Sequence, residues 1–350
     1  MAERHPFSDI SWKVTEPEYR ADPALSYSTL QTYERGGGFR AIPSLAEEQS
    51  SPSLAFGTLV DALVTGGYGE FNDMFFVGDL PEISENLQNI ARVLHERYGG
   101  EKTFDELLDD QLAEVGKECG FYAGDKYTAY RSKLIREGCR EYYTLLSSAT
   151  GKTLVSQKDY DDAVACKEAF LTSPYTSYYF GTTEGQEQYF QLKFKGEDPL
   201  NNLPYRCMAD YIKVDHLEKK VHLFDIKTTS SPEEEFPKSF LKYYYNLQSR
   251  NYWRLIRQAM NKDPYYKDFK LMDYIFLVVN RNTLTPLAWI DSKTQAVGDV
   301  VYTTSNGRKI VIRDPYTIGL ELTWYRTNNP QYPTGVSVQN SITSYIESNM

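Results

Sequence analysis

Cysteine is scarce in this 350-residue chain, with four residues at Cys119, Cys139, Cys166 and Cys207. No two of them form a C-x-x-C pair, which argues against a zinc or iron–sulfur centre and for reduced thiols in a cytosolic protein. A basic excess is also missing. Thirty-eight Lys and Arg stand against 48 Asp and Glu, a formal net charge of −10. That balance removes the positive field of a non-specific nucleic-acid coat, while a local basic groove stays open. Carboxylates that hold metal ions would also count toward such a total. Long apolar runs are absent as well. The longest aliphatic–aromatic stretch, Tyr274 to Val279, is far shorter than the roughly 20 residues that span a bilayer. The opening MAERHPFSDISWKV lacks the apolar core of a signal peptide. A cytoplasmic protein with no membrane partner is expected.

What is present suits a folded chain. Hydrophobic residues make up 41% and charged residues 25%, near the averages for soluble globular proteins. The 29 tyrosines suit grooves and core margins, where a ring is buried and its hydroxyl stays wet. The pattern predicts a short helix over 25–34, a glycine turn at Gly36–Gly38, and a helix over 53–65. In the latter, Phe56, Leu59, Val60 and Leu63 form a buried stripe. Gly66 and Gly67 supply its stop. Helical patterning dominates 86–148 and continues through 157–172, with Ser156 as N-cap. The texture changes after Thr182. Strands are predicted at 187–194, 205–214, 221–227, 272–280 and 286–291, with a helix at about 237–260. The fold class is therefore α/β (α+β): a mixed sheet flanked by helices, with a helical N-terminal part. Residues 1–24 are expected as an extension. Residues 25–327 are expected as one domain, helical over about 25–180 and sheet-bearing over about 181–300. Residues 328–350 are expected as an irregular tail.

The strands around Asp210 and Asp225 carry the chemistry. An antiparallel hairpin turning at Asp215–Lys220 sets Val214 opposite Val221, Ile212 opposite Leu223 and Asp210 opposite Asp225. Both carboxylates then share an otherwise apolar face, and Lys227, two residues on, projects the same way. Like charges facing each other on a sheet are destabilising, more so when buried. A divalent cation would relieve both penalties, and an oxygen-ligand pair suits Mg²⁺ or Mn²⁺. By the same logic, removing Asp225 should stabilise the metal-free protein. Lys227 would orient or deprotonate an attacking water, or neutralise charge on a phosphate. Downstream, Gln248 and Tyr252 lie four apart on one helix face, with Arg250, Arg254 and Arg257 as an adjacent basic stripe suited to a phosphate backbone.

Asp210, then Asp225-Ile226-Lys227-Thr228-Thr229, then Gln248-x-x-x-Tyr252 resembles the D…(D/E)xK…QxxxY series of PD-(D/E)xK nucleases. More specifically, it resembles the RecE-type exonucleases (exodeoxyribonuclease VIII-like) often carried by phages and prophages. LSYSTLQTYERGGGFRAI resembles the opening helix of that group, AFGTLVDALV its G-T-x-x-H segment, and GKTLVSQKDYDDAVACKEAFLTSPY its central helical region. The likeness covers about residues 25–300. One departure is Asp61, which stands where the family segment ends in His; it is either a further metal ligand or a solvated helix residue. Glu187 resembles an acidic position upstream of the first Asp in some relatives, and either reaches the site or faces solvent.

The resemblance implies a restriction-endonuclease-like core and metal-dependent hydrolysis of phosphodiesters at the ends of linear duplex DNA, as in phage-type recombination. It implies Mg²⁺ or Mn²⁺ held by Asp210, Asp225 and the Ile226 carbonyl, a single-strand annealing protein as partner, a homo-oligomer, and a bacterial or phage-infected host cell. The alternatives are a structure- or site-specific endonuclease on the same metal centre, and a non-catalytic DNA-binding or assembly protein on a degenerate nuclease fold.

Overall fold

The computed structural model describes residues 3–46, 52–304 and 306–328. In chain order it comprises α1 (Glu16–Ala21), α2 (Tyr27–Arg35), α3 (Pro52–Thr65), α4 (Gly67–Met74), β1 (Phe75–Gly78), α5 (Glu85–Tyr98), α6 (Asp109–Glu118) and α7 (Thr128–Ala149). It continues with β2 (Thr153–Ser156), α8 (Gln157–Thr172), α9 (Ser177–Phe180), β3 (Gln186–Glu197), β4 (Pro204–Asp215), β5 (Lys220–Thr229), α10 (Phe236–Lys242) and α11 (Tyr245–Lys262). β6 (Lys270–Leu271), β7 (Tyr274–Asn280), β8 (Leu287–Asp291), β9 (Val300–Thr303), β10 (Lys309–Ile312) and α12 (Pro315–Asn328) complete it. The expected α+β class is what the chain forms. The expected irregular tail lies almost wholly outside the described residues.

The chain divides into two compact units, one of residues 1–51 with 170–350 and one of Pro52–Ala169. The helical region expected over 25–180 is thus divided, because α2 belongs with the sheet. In the helical unit, α5 presents Ile90 and Leu94, α6 presents Leu112 and Val115, and α7 presents Ile135, Cys139 and Tyr142 to a shared core. These residues recur at three- and four-residue spacing, as an amphipathic helix requires. Ser156 caps α8 as expected, its Oγ accepting the Asp159 N–H at 3.0 Å. The parallel pair β1–β2 has no counterpart in the sequence reading; four-residue strands are too short to show a period.

In the other unit the sheet order is β3-β4-β5-β7-β8, with β6 beside the start of β5. β3, β4 and β5 form an antiparallel meander, and β5 and β7 run parallel. The predicted register holds: Val214 pairs with Val221 and Ile212 with Leu223. All four side chains are fully buried in the main core with Leu247, Leu255 and Ile256 of α11. On the opposite face Phe190, Tyr211 and Phe224 stack across three strands, at centroid distances of 4.9 and 4.7 Å. The turn is closed by Asp215 Oδ1, which accepts the Glu218 N–H at 2.8 Å, an Asx-type arrangement.

The helix expected over 237–260 is two helices. Tyr244 adopts a left-handed backbone, φ 53°, between α10 and α11. No glycine or proline marks the break, so nothing local announces it. The far side of α11 is not a free surface either. Arg250, fully buried, donates to Asp314 at 2.7 Å and to the carbonyls of Ala296 and Gly298. Arg254 donates to both Asp314 oxygens, at 2.9 and 2.5 Å, and lies 4.6 Å from the Tyr316 ring centroid. Arg257 donates to the carbonyls of Phe269 and Lys267. The stripe assigned to DNA contact at Arg250, Arg254 and Arg257 is therefore corrected. α11 is covered by the sheet on one side and by the segment leading into α12 on the other, so its basic side chains tie backbone carbonyls and a buried carboxylate. Truncating one partner of such a buried pair is costly. Arg250→Ala is expected to lower unfolding stability by about 3 kcal/mol in urea denaturation, and stability unchanged within error would refute the anchoring role.

Candidate active site

β4 and β5 separate where the two aspartates meet. The backbone ladder ends at Tyr211–Phe224, one pair short of Asp210 and Asp225. Continued register would give the Ile226 N–H to a β4 carbonyl. It goes instead to the side chain of Asp210, whose Oδ2 accepts it at 3.1 Å. N–H and C=O of one strand residue point to the same neighbour, so the Ile226 carbonyl faces the same gap. On the other side of Asp210, Gln191 lies between the β3–β4 pairs Phe190–Tyr211 and Leu192–Ala209. It carries a left-handed backbone, φ 52°. A non-glycine residue in this region within a strand is strained. Sequence reasoning passed over Gln191, because glutamine in a strand carries no signal of φ.

Asp225 is fully buried. Its Oδ2 is 2.5 Å from Lys227 Nζ, and its Oδ1 accepts a hydrogen bond from Gln248 Nε2 of α11. Lys227 is half-buried. Burial disfavours its charge, but Asp225, Tyr245 and Asp210 outweigh that and hold it above the ordinary lysine range. The Tyr245 ring centroid lies 5.1 Å from Nζ, a cation–π contact. Tyr252, one turn after Gln248, is buried and packs edge-on against Tyr274 of β7 at 6.1 Å. Burial first, then neighbouring charges that include Asp210 and Asp225, raises both tyrosines well above their usual range. Tyr245 and Tyr274 were not singled out in the sequence. Their signal was spacing alone: Tyr245 precedes Gln248 by three residues on one helix face, and Tyr274 shares its strand face with Phe276, which pairs with Asp225.

Asp210, Asp225, Lys227, Gln248 and Tyr252 thus come together, with the Ile226 carbonyl beside them. Glu187 does not. It pairs with Val214, four residues along β4 from Asp210, or roughly 13 Å at strand rise. There it meets Arg4 at 2.5 Å, His216 Nε2 at 3.2 Å and the Tyr189 hydroxyl. Its assignment as a metal ligand is corrected: the register carries it to the hairpin's far end. Asp61 is half-buried on α3 in the helical unit. Among the described residues no group of three or more His, Cys, Asp and Glu side chains is gathered as a metal site.

The donor chemistry nevertheless fits a hard divalent cation. Two carboxylates and a backbone carbonyl are oxygen ligands of the kind Mg²⁺ takes while retaining water. The Gln248 Oε1 and Tyr274 hydroxyl are buried atoms without a hydrogen-bond partner among the described residues. Comparison with protein-family models returns no match for this chain, and comparison with curated proteins returns none either.

Two outcomes follow. Asp225 is balanced by Lys227 and Gln248, so repulsion from Asp210 is not its dominant interaction. The expectation that its removal stabilises the metal-free protein reverses. Asp225→Ala is expected to lower the melting temperature, by the equivalent of about 2–3 kcal/mol, because it strands a half-buried ammonium; a raised Tm in chelator would contradict this. At the hairpin's far end, burial disfavours the Glu187 charge, but hydrogen bonds from Tyr189, Arg4 and His216 prevail and lower its pKa to about 2. A depressed folded-state pKa stabilises above the unfolded value and loses that contribution as pH falls through the folded one. The stability gap between wild type and Glu187→Gln should be constant above about pH 5. It should close toward pH 2, as followed by urea titrations across that range; a gap unchanged at pH 2 would exclude the linkage.

Proposed function

We propose that this protein is a metal-dependent deoxyribonuclease that degrades linear duplex DNA from its ends. The observation that carries the reading is the meeting of Asp210, Asp225 and Lys227 at the gap where β4 and β5 part. The order of motifs along the chain, Asp210, Asp225-Ile226-Lys227, Gln248 and Tyr252, supports the PD-(D/E)xK likeness and with it a DNA substrate. A bound Mg²⁺ or Mn²⁺, held by Asp210, Asp225 and the Ile226 carbonyl, would supply Lewis-acid activation of the scissile phosphate and of water.

The chain's own groups divide the remaining work. Asp210 holds the Ile226 peptide and so fixes the distance between the two strands. Gln248 holds Asp225 Oδ1 and fixes the rotamer of that carboxylate. Lys227, kept charged by its surroundings, is suited to neutralising charge that develops on a phosphate oxygen and to orienting a water. In the metal-free protein its ammonium is the cation that balances Asp225, and loading of the site would free it toward substrate. Tyr245 and Tyr252 wall the site with rings and limit water access. Assembly into a homo-oligomer and cooperation with a single-strand annealing protein belong to the same proposal.

The test is incubation with linear and covalently closed circular duplex DNA in Mg²⁺, in Mn²⁺ and in chelator. Linear DNA should be consumed only with metal, and closed circles should persist. Cutting of closed circles would favour the endonuclease reading. Asp225→Asn and Lys227→Met should each reduce turnover by at least about a hundredfold, as lost charge stabilisation does. Gln248→Ala should reduce turnover by about tenfold with little change in KM, since it acts through Asp225. Cleavage that survives both Asp225→Asn and Lys227→Met would place the chemistry elsewhere.

A further inference from the structure

A cavity lies among α10, β7, β8, β9 and β10. It has a volume of about 340 Å³, near the lower bound for small-ligand pockets. Phe236 and Phe240 of α10, Phe276 of β7, Trp289 of β8 and Tyr302 of β9 line it. The five rings are in continuous contact: Phe240 lies 5.7 Å from Phe276 and 5.9 Å from Tyr302, both edge-on, and Phe236 lies 6.4 Å from Trp289. One charged group lines this aromatic cavity, the carboxylate of Asp291 at the end of β8. Asp291 is 95% buried, with a relative exposure of 5%.

The partners of Asp291 are neutral. Its Oδ2 accepts from the Ser249 hydroxyl at 2.6 Å. Its Oδ1 accepts from the Lys293 backbone N–H at 3.0 Å and the Tyr302 hydroxyl at 3.2 Å. A carboxylate offers about four acceptor positions, so one remains on Oδ2. No ion pair reaches Asp291 among the described residues. Arg250 acts on it only from a distance: its Nη2 donates to Asp314 and to the carbonyls of Ala296 and Gly298, and its Nε and Nη1 reach no hydrogen-bond partner among the described residues. A buried carboxylate with neutral donors only is costly unless a cation completes it. Aromatic faces attract the same kind of cation, and more strongly where water is excluded. The chain already shows this preference at the rim, where Lys293 Nζ lies 5.5 Å from the Tyr302 ring centroid.

We propose that this cavity binds an alkylammonium group, with the charge directed to Asp291 and the alkyl part enclosed by the five rings. Two sources carry that chemistry: a free aliphatic amine and a lysine side chain of a partner segment. Phe276 pairs with Asp225 across β5 and β7, but the charged group of this cavity is Asp291, so the proposal does not depend on the nuclease reading.

The experiment is ligand-observed saturation-transfer NMR on the full-length protein, titrated with n-butylammonium and, as a neutral control, n-butanol. Saturable butylammonium binding is expected, at least tenfold tighter than butanol. Asp291→Asn should weaken it at least tenfold. Because that variant also disturbs the bond to Ser249, Ile310→Trp is the second arm. Ile310 lines the mouth of the cavity from β10, and the larger ring should block entry while leaving the bonds of Asp291 in place. Butanol binding as tightly as butylammonium would reduce the site to an unfilled apolar gap and overturn the proposal. So would undiminished binding in either folded variant. The source is separated by a short peptide, N-acetylated and C-amidated, with one central lysine. Affinity at least tenfold above butylammonium identifies a protein partner, and equal affinity identifies a free amine.

Discussion

A carboxylate with no solvent exposure on an apolar sheet face is among the most expensive arrangements a small fold can hold. Asp225 is such a group, and much of the surrounding structure is arranged around it. Lys227, two residues along the same strand, is delivered by strand parity alone. Gln248 is delivered by the docking of α11, which brings one amide N–H to the remaining oxygen. The hydrophobic contacts of Leu247, Leu255 and Ile256 with Ile212, Val214, Val221 and Leu223 therefore do more than fill a core. They set the height of α11 above the sheet, and with it the reach of Gln248. Packing of that kind is stiff, because interiors are close to crystalline density, and a stiff support is what keeps a charged site at fixed geometry.

The gap between β4 and β5 is the second consequence. A central pair of strands ordinarily completes its ladder, since an unpaired buried peptide costs about as much as a lost hydrogen bond. Here Asp210 substitutes a side-chain oxygen for the missing backbone partner. The sheet opens by the thickness of that side chain without leaving the Ile226 N–H unsatisfied, and the carbonyl of the same residue is turned into the opening. Gln191, strained in the neighbouring strand at the same level, interrupts the β3–β4 register opposite Asp210. Strain of this sort persists only where the surrounding structure over-determines it. Its coincidence with Asp210 ties it to the site, not to a turn.

Much of this was legible in the sequence, and the reasons are specific. Period-two alternation through Ile212, Val214, Val221 and Leu223 fixed the hairpin register, because a slip of one residue would have turned all four to the opposite face. The same parity put Lys227 beside Asp225. What escaped was non-local. The break at Tyr244 lies in a run of three tyrosines with full helical patterning on both sides, and only tertiary packing selects its left-handed backbone. Arg250, Arg254 and Arg257 read as a solvated stripe because helical periodicity reports which residues share a face, not what later covers it. The cover of Arg250 and Arg254 is supplied by Asp314, Ala296 and Gly298, some 40 to 60 residues downstream, beyond any window that pattern can use, and that of Arg257 by the carbonyls of Lys267 and Phe269 past the end of the helix. Glu187 failed for a related reason. Its residue type suits a metal, but the register of β3 against β4 carries it to the far end.

The corrected arginines alter how a DNA strand would have to be held. With Arg250 buried and Arg254 and Arg257 bonded within the fold, a nucleic-acid backbone would find little free charge along that stripe, so affinity would have to come largely from elsewhere on the surface of a protein with a net charge of −10. A chain of this charge repels a polyanion at long range, and the repulsion is screened over about 8–10 Å at physiological salt. Local attraction at the site then rests on Lys227 and on whatever divalent charge the two aspartates hold. On the proposed function, such a balance would make substrate capture depend on the metal as much as catalysis does. For a non-specific basic groove, raised salt weakens binding steeply through counterion release. With few phosphate contacts, the salt dependence here should be shallow, and chelation should abolish both binding and cleavage. Under that proposal the coupling would be a physical consequence of placing a buried acidic centre in an acidic protein, and it would separate this site from one that binds DNA first and recruits its metal afterwards.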